Sequence, residues 1–232
     1  MYILKDDEGM MAMSIVNDML ESIEIPRFAR ITQHFETIRI DDVMSVVDEQ
    51  FRDDNIKNRI KPGQRIGITV GSRGIANLKE IVRAVSRNIK ELGAQPIIIS
   101  SMGSHGGATA QGQREVIEEL GVTEEYTGAK IMSSMEVVQI GVTDTGIPVY
   151  YDKIASELDG MVLMNRIKAH TDINGDIESG LHKIIAIGLG NHVGATAVHS
   201  KGMENASSRI KSVGKVVLEN ANIIFGIALL EN

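Results

Sequence analysis

The sequence predicts an α/β protein: a doubly wound, mainly parallel sheet of Rossmann-like kind with an inserted β-hairpin. Three observations carry that expectation. Short runs that are apolar almost throughout recur along the chain, among them Arg65–Val70 (RIGITV), Pro96–Ser101 and Gly160–Asn165 (GMVLMN). Strands covered on both faces look like this, whereas half-exposed strands alternate. Between the runs lie amphipathic helical stripes, and the loops leaving the runs carry glycine and polar side chains, where a parallel sheet builds its ligand site.

Each element follows in order. Residues 1–62 mix amphipathic pieces with charge and close at Pro62-Gly63, a turn signal. They are read as an amino-terminal preamble packed on the body, and 63–232 as the α/β domain. After RIGITV comes the loop Gly71-Ser72-Arg73-Gly74. Leu78, Ile81, Val82, Val85, Ile89 and Leu92 then share a helical face that Gly93 closes. The run at Pro96–Ser101 leads into MGSHGGAT, and a helix with Val116, Ile117 and Leu120 stops at Gly121. A third run near Lys130–Ser133 precedes a hairpin, Val137–Thr143 and Ile147–Tyr151 around Asp144-Thr145-Gly146. Gly160–Asn165 is followed by the polar loop RIKAHTDINGDIES, an apolar helix from Gly180 to Gly188, a helix near 203–220 and the strand-like IIFGIALL.

Composition narrows the function. The 232 residues carry 24 basic and 31 acidic side chains, a net charge of −7, which argues against a generic nucleic-acid binder. There is no cysteine, so a metal must be held by His, carboxylate or a cofactor. Four Tyr, four Phe and no Trp leave little for base stacking, and 12 Met help fill the core. The start, MYILKDDEGMMAMS, carries acid where a secretory signal carries base, and no apolar stretch reaches the ~20 residues that cross a bilayer. A soluble, cytoplasmic protein is expected, with no nucleic-acid or membrane partner and an oligomeric state left open.

Loops after successive parallel strands gather at one sheet edge, which brings 71–76, 102–108 and 165–178 together. They contribute Arg73, then His105 between glycines, then Arg166, Lys168, His170, Asp172 and Asp176. Two imidazoles on one cavity suit proton transfer in both directions near neutrality, and an arginine suits a carboxylate. Neither glycine loop matches a dinucleotide fingerprint or a P-loop. From the residues alone the reading stops at an α/β domain with a His- and Arg-bearing anion site, which leaves open a hydrolase with zinc held by His105, His170 and Asp172 and a non-enzymatic module binding an anionic metabolite through Arg73 and loop amides.

Gly103-Ser104-His105-Gly106-Gly107-Ala108-Thr109 resembles the G-x-H-x-x-x-T motif of the nickel-pincer-nucleotide lactate racemase family. Ser72-Arg73 resembles that family's T-R pair after the first strand. Asn165 to His199 is similar as well, with a loop histidine (His170), a lysine after a glycine turn (Lys183), Gly188 and a further histidine (His199). The resemblance spans about residues 60–230 and implies an isomerase that racemises or epimerises lactate or a related α-hydroxy acid. Such enzymes pass a hydride transiently to a pyridinium-3,5-bisthiocarboxylate mononucleotide carrying nickel. It further implies His105 and His170 as the two catalytic bases, Lys183 as the residue tethering the cofactor, and His199 as the nickel ligand. Arg73, with Ser72, would grip cofactor or substrate, and cofactor-biosynthesis proteins would be partners. The sequence departs from the family pattern at Val70, Gly106 and Ile187 and in a longer His170–Lys183 interval, which leaves the hydroxy acid open; Arg166, Lys168 and Asp172 are candidate replacements. A strand such as IIFGIALL is expected to be buried and followed by more chain. The sequence therefore reads as an amino-terminal domain cut before, or lacking, a second domain that in the family supplies catalytic groups, including a lysine.

Overall fold

The structure, a computed structural model, describes residues 17–21, 23–24, 27–34, 39–200 and 202–231. The acidic start at 1–14 lies outside the described residues. The chain divides into two units, Met1–Ile38 and Arg39–Asn232. Within the first, residues 17–20 form a helical turn. The boundary falls before residue 62, so residues 39–62 belong to the larger unit. There α1 (Val43–Phe51) starts at Asp42, whose carboxylate accepts the Ser45 N–H.

The larger unit is the expected α/β fold. Its strands are β1 (Arg65–Val70), β2 (Gln95–Ser100), β3 (Lys130–Met132), β4 (Val137–Val142), β5 (Pro148–Asp152), β6 (Gly160–Arg166) and β7 (Ile223–Leu229). Five form one parallel sheet in the order β3-β2-β1-β6-β7, and β4 and β5 pair as a separate antiparallel hairpin. Between β1 and β2 runs α2 (Leu78–Glu91), and α3 (Ala110–Glu119) follows β2. After β6 come α4 (Leu181–Lys183), running directly into a π-helical turn at Ile184–Gly188, then α5 (Asn191–His199) and α6 (Ala206–Asn220).

Strand alternation explains why the runs are apolar throughout. Ile66, Ile68, Val70, Ile98, Val162 and Met164 face one layer, with Ile81, Val82, Val85 and Ile89 of α2 and Phe51 of α1. Ile97, Ile99, Met161 and Leu163 face the other, with Val149 and Tyr151 of the hairpin, Ile184 and Ile185 of the π turn, and Val213 and Val217 of α6. Each strand feeds two cores, and the sheet is doubly wound. The last strand differs from expectation. IIFGIALL forms the edge strand β7 with most of its residues half-buried or exposed, because no strand covers its outer side among the described residues.

The strand order reverses at β1, from which the chain winds outward through β2 and β3 and then returns to the other side through β6 and β7. Here β1 and β6 part. Their ladder pairs only Ile66, Gly67 and Ile68 with Gly160, Met161 and Val162. Beyond it the Thr69 hydroxyl replaces the ladder, accepting the Met164 N–H at 2.8 Å and donating to the Met164 carbonyl at 3.3 Å. Past Thr69 a crevice opens between the carboxyl ends of the two strands, the usual ligand position in such sheets.

Candidate active site

A cleft of about 410 Å³ occupies that crevice. Its walls come from the loop after β1 (Gly71–Ile75), the loop after β2 (Ser101, Met102, Ser104, His105), the end of β6 with its loop (Asn165, Arg166, Lys168, His170, Ile173, Ser179), and the helical segment with Lys183, Ile187, Gly188 and His199. The six residues singled out from the sequence, Ser72, Arg73, His105, His170, Lys183 and His199, all line it. His182 and His192 do not. His182 packs against Gly214 of α6, where an added Cβ would sit 2.6 Å from its ring, and His192 is exposed.

The local sequence explains how His105 is presented. Gly103, Gly106 and Gly107 each have φ of +64°, a region glycine enters without strain. Thr109 caps α3 by accepting the Gly112 N–H at 3.0 Å, and its hydroxyl donates to the Gly106 carbonyl at 3.1 Å. Gln113, wholly buried, donates to the Gly103 carbonyl at 2.9 Å. The glycines and threonine of G-x-H-x-x-x-T thus fold a tight turn against the start of α3 and leave the imidazole outside it. The His105 Nδ1 is hydrogen-bonded to the Ser72 hydroxyl, so Ser72 is engaged by the histidine.

Lys183 stands where α4 passes into the π turn. Leu189 N–H donates to the Ile184 carbonyl at 2.8 Å, closing a turn one residue wider than an α-helix, a feature frequent at functional sites. The segment lies hard against the loop after β2: Gly103 N–H donates to the Gly188 carbonyl at 3.2 Å, and a Cβ on Gly188 would be 2.6 Å from the Ser101 carbonyl oxygen. Gly188 permits the contact, and Lys183 and His182 leave the segment towards different surroundings.

The cleft is electropositive in an acidic protein. None of the ion pairs among the described residues uses Arg73, Lys168 or Lys183. Desolvation, then Lys168 and Arg73, hold the Lys183 amine below the ordinary lysine value. Desolvation, then Arg73 and Lys183, lower His105. His170 is lowered by desolvation, Lys183 and Lys168, and His199 by desolvation, Lys183 and Arg209. Neutral imidazoles and a weakened ammonium beside a fixed guanidinium suit an anionic ligand and proton transfer.

Of the candidate replacements, Arg166 is already committed: its guanidinium pairs with Glu231 at 2.5 Å. Glu231 also accepts the Ala76 N–H and so clips the β1 loop to β6. Asp172 accepts the Thr171 hydroxyl at 3.0 Å, and Lys168 donates to the Ala169 carbonyl at 3.1 Å. Sequence reasoning missed Glu231 and Glu178; both act through backbone amides distant in sequence or inside an irregular loop, and no local pattern marks them.

No group of three His, Asp or Glu among the described residues is placed to hold a metal ion. The zinc set of His105, His170 and Asp172 is therefore not assembled. A metal that arrives with most of its ligands needs only one imidazole. His199 offers one on the cleft wall, and its Nδ1 is buried without a hydrogen-bond partner, a state that costs about 1–3 kcal/mol unless something relieves it.

The model of the family described as "Lactate racemase N-terminal domain" matches residues 14–211. The chain belongs to the lactate racemase N-terminal domain family. No curated protein matches it. Among solved structures it is similar to the lactate racemase apoprotein from Thermoanaerobacterium thermosaccharolyticum, with a TM-score of 0.62 and 15% identity, over 82% of this chain and 49% of that one. At that identity the likeness concerns the fold, and the chain spans about half the length of the solved racemase. Among the described residues of this family member no helix is long and apolar enough to cross a membrane.

Proposed function

We propose that this lactate racemase N-terminal domain is the cofactor- and substrate-binding part of an isomerase that racemises or epimerises an α-hydroxy acid. The cofactor would be a nickel-pincer nucleotide. One observation carries the reading: Arg73, His105, His170, Lys183 and His199 share a single cleft at the strand-order reversal. The residues suit such a group. The cofactor would bring nickel with donors of its own, and the imidazole of His199 on the cleft wall would supply a further nitrogen of a kind nickel accepts. Lys183, whose proton affinity is lowered by desolvation and by neighbouring cations, would be more readily available as the free amine and would hold the thiocarboxylate arm.

When bound, the pyridinium supplies a hydride acceptor for the substrate α-carbon. The chain's own residues do the rest. Arg73, always charged, would take the carboxylate or phosphate. His105 and His170 would handle the hydroxyl proton, since both are held neutral near pH 7.

The test is intact mass, nickel content and chiral product analysis of protein made with the pincer-nucleotide biosynthesis proteins. Wild type should carry a mass increment that survives denaturation and maps to the peptide holding Lys183. Lys183→Arg keeps the charge but not the nucleophile, and should lose the increment. Activity without an increment removes the tether alone. Absence of cofactor, nickel and racemisation removes the proposal and leaves the metabolite-binding module, which metal-free binding of a carboxylate would then support.

A further inference from the structure

His170 sits in a loop that polar contacts close on itself. The backbone N–H of His170 donates to Glu178 Oε2 at 2.9 Å, and Gly175 N–H reaches Glu178 Oε1 at 3.4 Å. Ile173, 1% exposed, anchors the loop in the core, and Ile177 N–H donates to the Ser207 hydroxyl of α6 at 3.0 Å. Within this closed turn the His170 ring meets two backbone donors at one atom. The N–H groups of Asp172 and Ile173 both point at Nδ1, at 3.1 and 3.2 Å. Two N–H groups can share a lone pair, but they cannot face a third N–H. The neutral ring must then carry its proton on Nε2.

We infer that Glu178 is a positioning residue that closes this loop and thereby fixes His170 as the Nε2–H tautomer, so that the resting ring offers the cleft a hydrogen-bond donor. His105 is placed differently. Its Nδ1 partner is the Ser72 hydroxyl, which can donate or accept, so His105 can hold its proton on either nitrogen. It can also become cationic without opposing a backbone amide. The two imidazoles that the sequence presents as a symmetric pair are therefore unequal at rest. His105 is free to accept a proton at Nε2, whereas His170 polarises an oxygen and can take a second proton only if the loop releases Asp172 and Ile173. Burial first, and then Lys183 and Lys168, depress the proton affinity of His170, while Asp172 and Glu178 favour a cation there; the net direction is in keeping with the two amide donors. The tautomer stands without the racemase reading; only its catalytic consequence rests on that reading.

The experiment is long-range 1H–15N correlation of the ring nitrogens in the full chain labelled with 15N-histidine, recorded without cofactor near neutral pH. His170→Gln assigns the ring and Glu178→Gln perturbs it. Wild-type His170 should show an unprotonated Nδ1 and a protonated Nε2. In Glu178→Gln one side-chain oxygen becomes an amide NH2 group, the loop loses an acceptor, and the His170 signals should move towards the averaged pattern of a mixed tautomer while His105 stays unchanged. An Nδ1–H tautomer in wild type overturns the inference whether or not the variant folds. An unchanged His170 pattern in folded Glu178→Gln removes Glu178 from the device. Failure of cofactor loading or racemisation would leave these spectra as they are, so the two readings fail separately.

Discussion

Gly106 and Gly107 follow His105 directly, share a φ of +64°, and differ in one respect that can be measured. A Cβ on Gly106 would lie 2.5 Å from the Gln113 nitrogen and 2.6 and 2.8 Å from the Gly112 carbonyl carbon and oxygen, all backbone of the first turns of α3. A Cβ on Gly107 meets nothing within 4 Å. Alanine at either site incurs left-handed strain of about 1–2 kcal/mol and recovers roughly 0.4–1 kcal/mol from the narrowed unfolded chain. Gly107→Ala should therefore cost about 0.5–1 kcal/mol. Gly106→Ala adds forced displacement of packed backbone, about 1–3 kcal/mol more, for a total near 2–4 kcal/mol. At roughly 2–4 °C per kcal/mol for a chain of this size, the two melting temperatures should be several degrees apart. Urea denaturation of both variants, fitted with a common slope, measures the difference. Equal midpoints would refute the claim that the His105 turn is held by contact of the Gly106 peptide with α3. If the contact is real, Gly106→Ala should also disturb the His105–Ser72 hydrogen bond, visible at the His105 ring nitrogens, while Gly107→Ala leaves it intact.

Two further outcomes follow from the cleft. His105→Ala and His170→Ala should each lower racemisation by at least 10²-fold, the ordinary worth of a positioned acid or base; chiral chromatography of initial rates in both directions checks this, and near wild-type rates in either variant would remove that histidine from the chemistry. His199→Ala should lower nickel occupancy of cofactor-loaded protein with little loss of stability, since the side chain is only half-buried; metal analysis beside a melting curve reads both, and undiminished nickel would remove the ligand role.

The fold was legible because its strands feed two cores. Arg65–Val70 and Gly160–Arg166 place apolar side chains on both faces, as strands covered on both sides do, and the amphipathic helices between such runs point to a parallel sheet. The hairpin was legible from Asp144-Thr145-Gly146, where Gly146 has φ of +79°. The helix α5 was not. Its sequence, NHVGATAVH, has no strong apolar stripe; it begins at Asn191, wholly buried at φ +51°, whose side chain donates to Asp152 at 2.8 Å and to the Ser134 carbonyl at 3.0 Å. Those partners belong to the hairpin and to the connection that leads into it, so the helix start is set by tertiary contact. The π turn is set likewise by the approach of Gly188 to Ser101. At the site, His105 stood out in its glycine loop and His170 in a polar loop after a strand, and Lys183 and His199 only through the family resemblance, whereas Glu178 and Glu231 bind backbone amides that no spacing rule connects to them.

The same physical arrangement serves each role proposed for the cleft. Desolvation first, and then neighbouring cations, lower the proton affinity of His105, His170, His199 and Lys183 together. The cleft therefore separates a fixed positive charge from groups with accessible lone pairs. An anion settling against Arg73 screens the others and restores part of their proton affinity, so ligand binding and proton uptake are coupled. On the proposed reading, a base that gains proton affinity once a carboxylate is seated would have its driving force delivered with the substrate. Among the groups so tuned, His105 gains most from this coupling, since its Nδ1 partner can reverse its hydrogen bond while the two amides at His170 cannot.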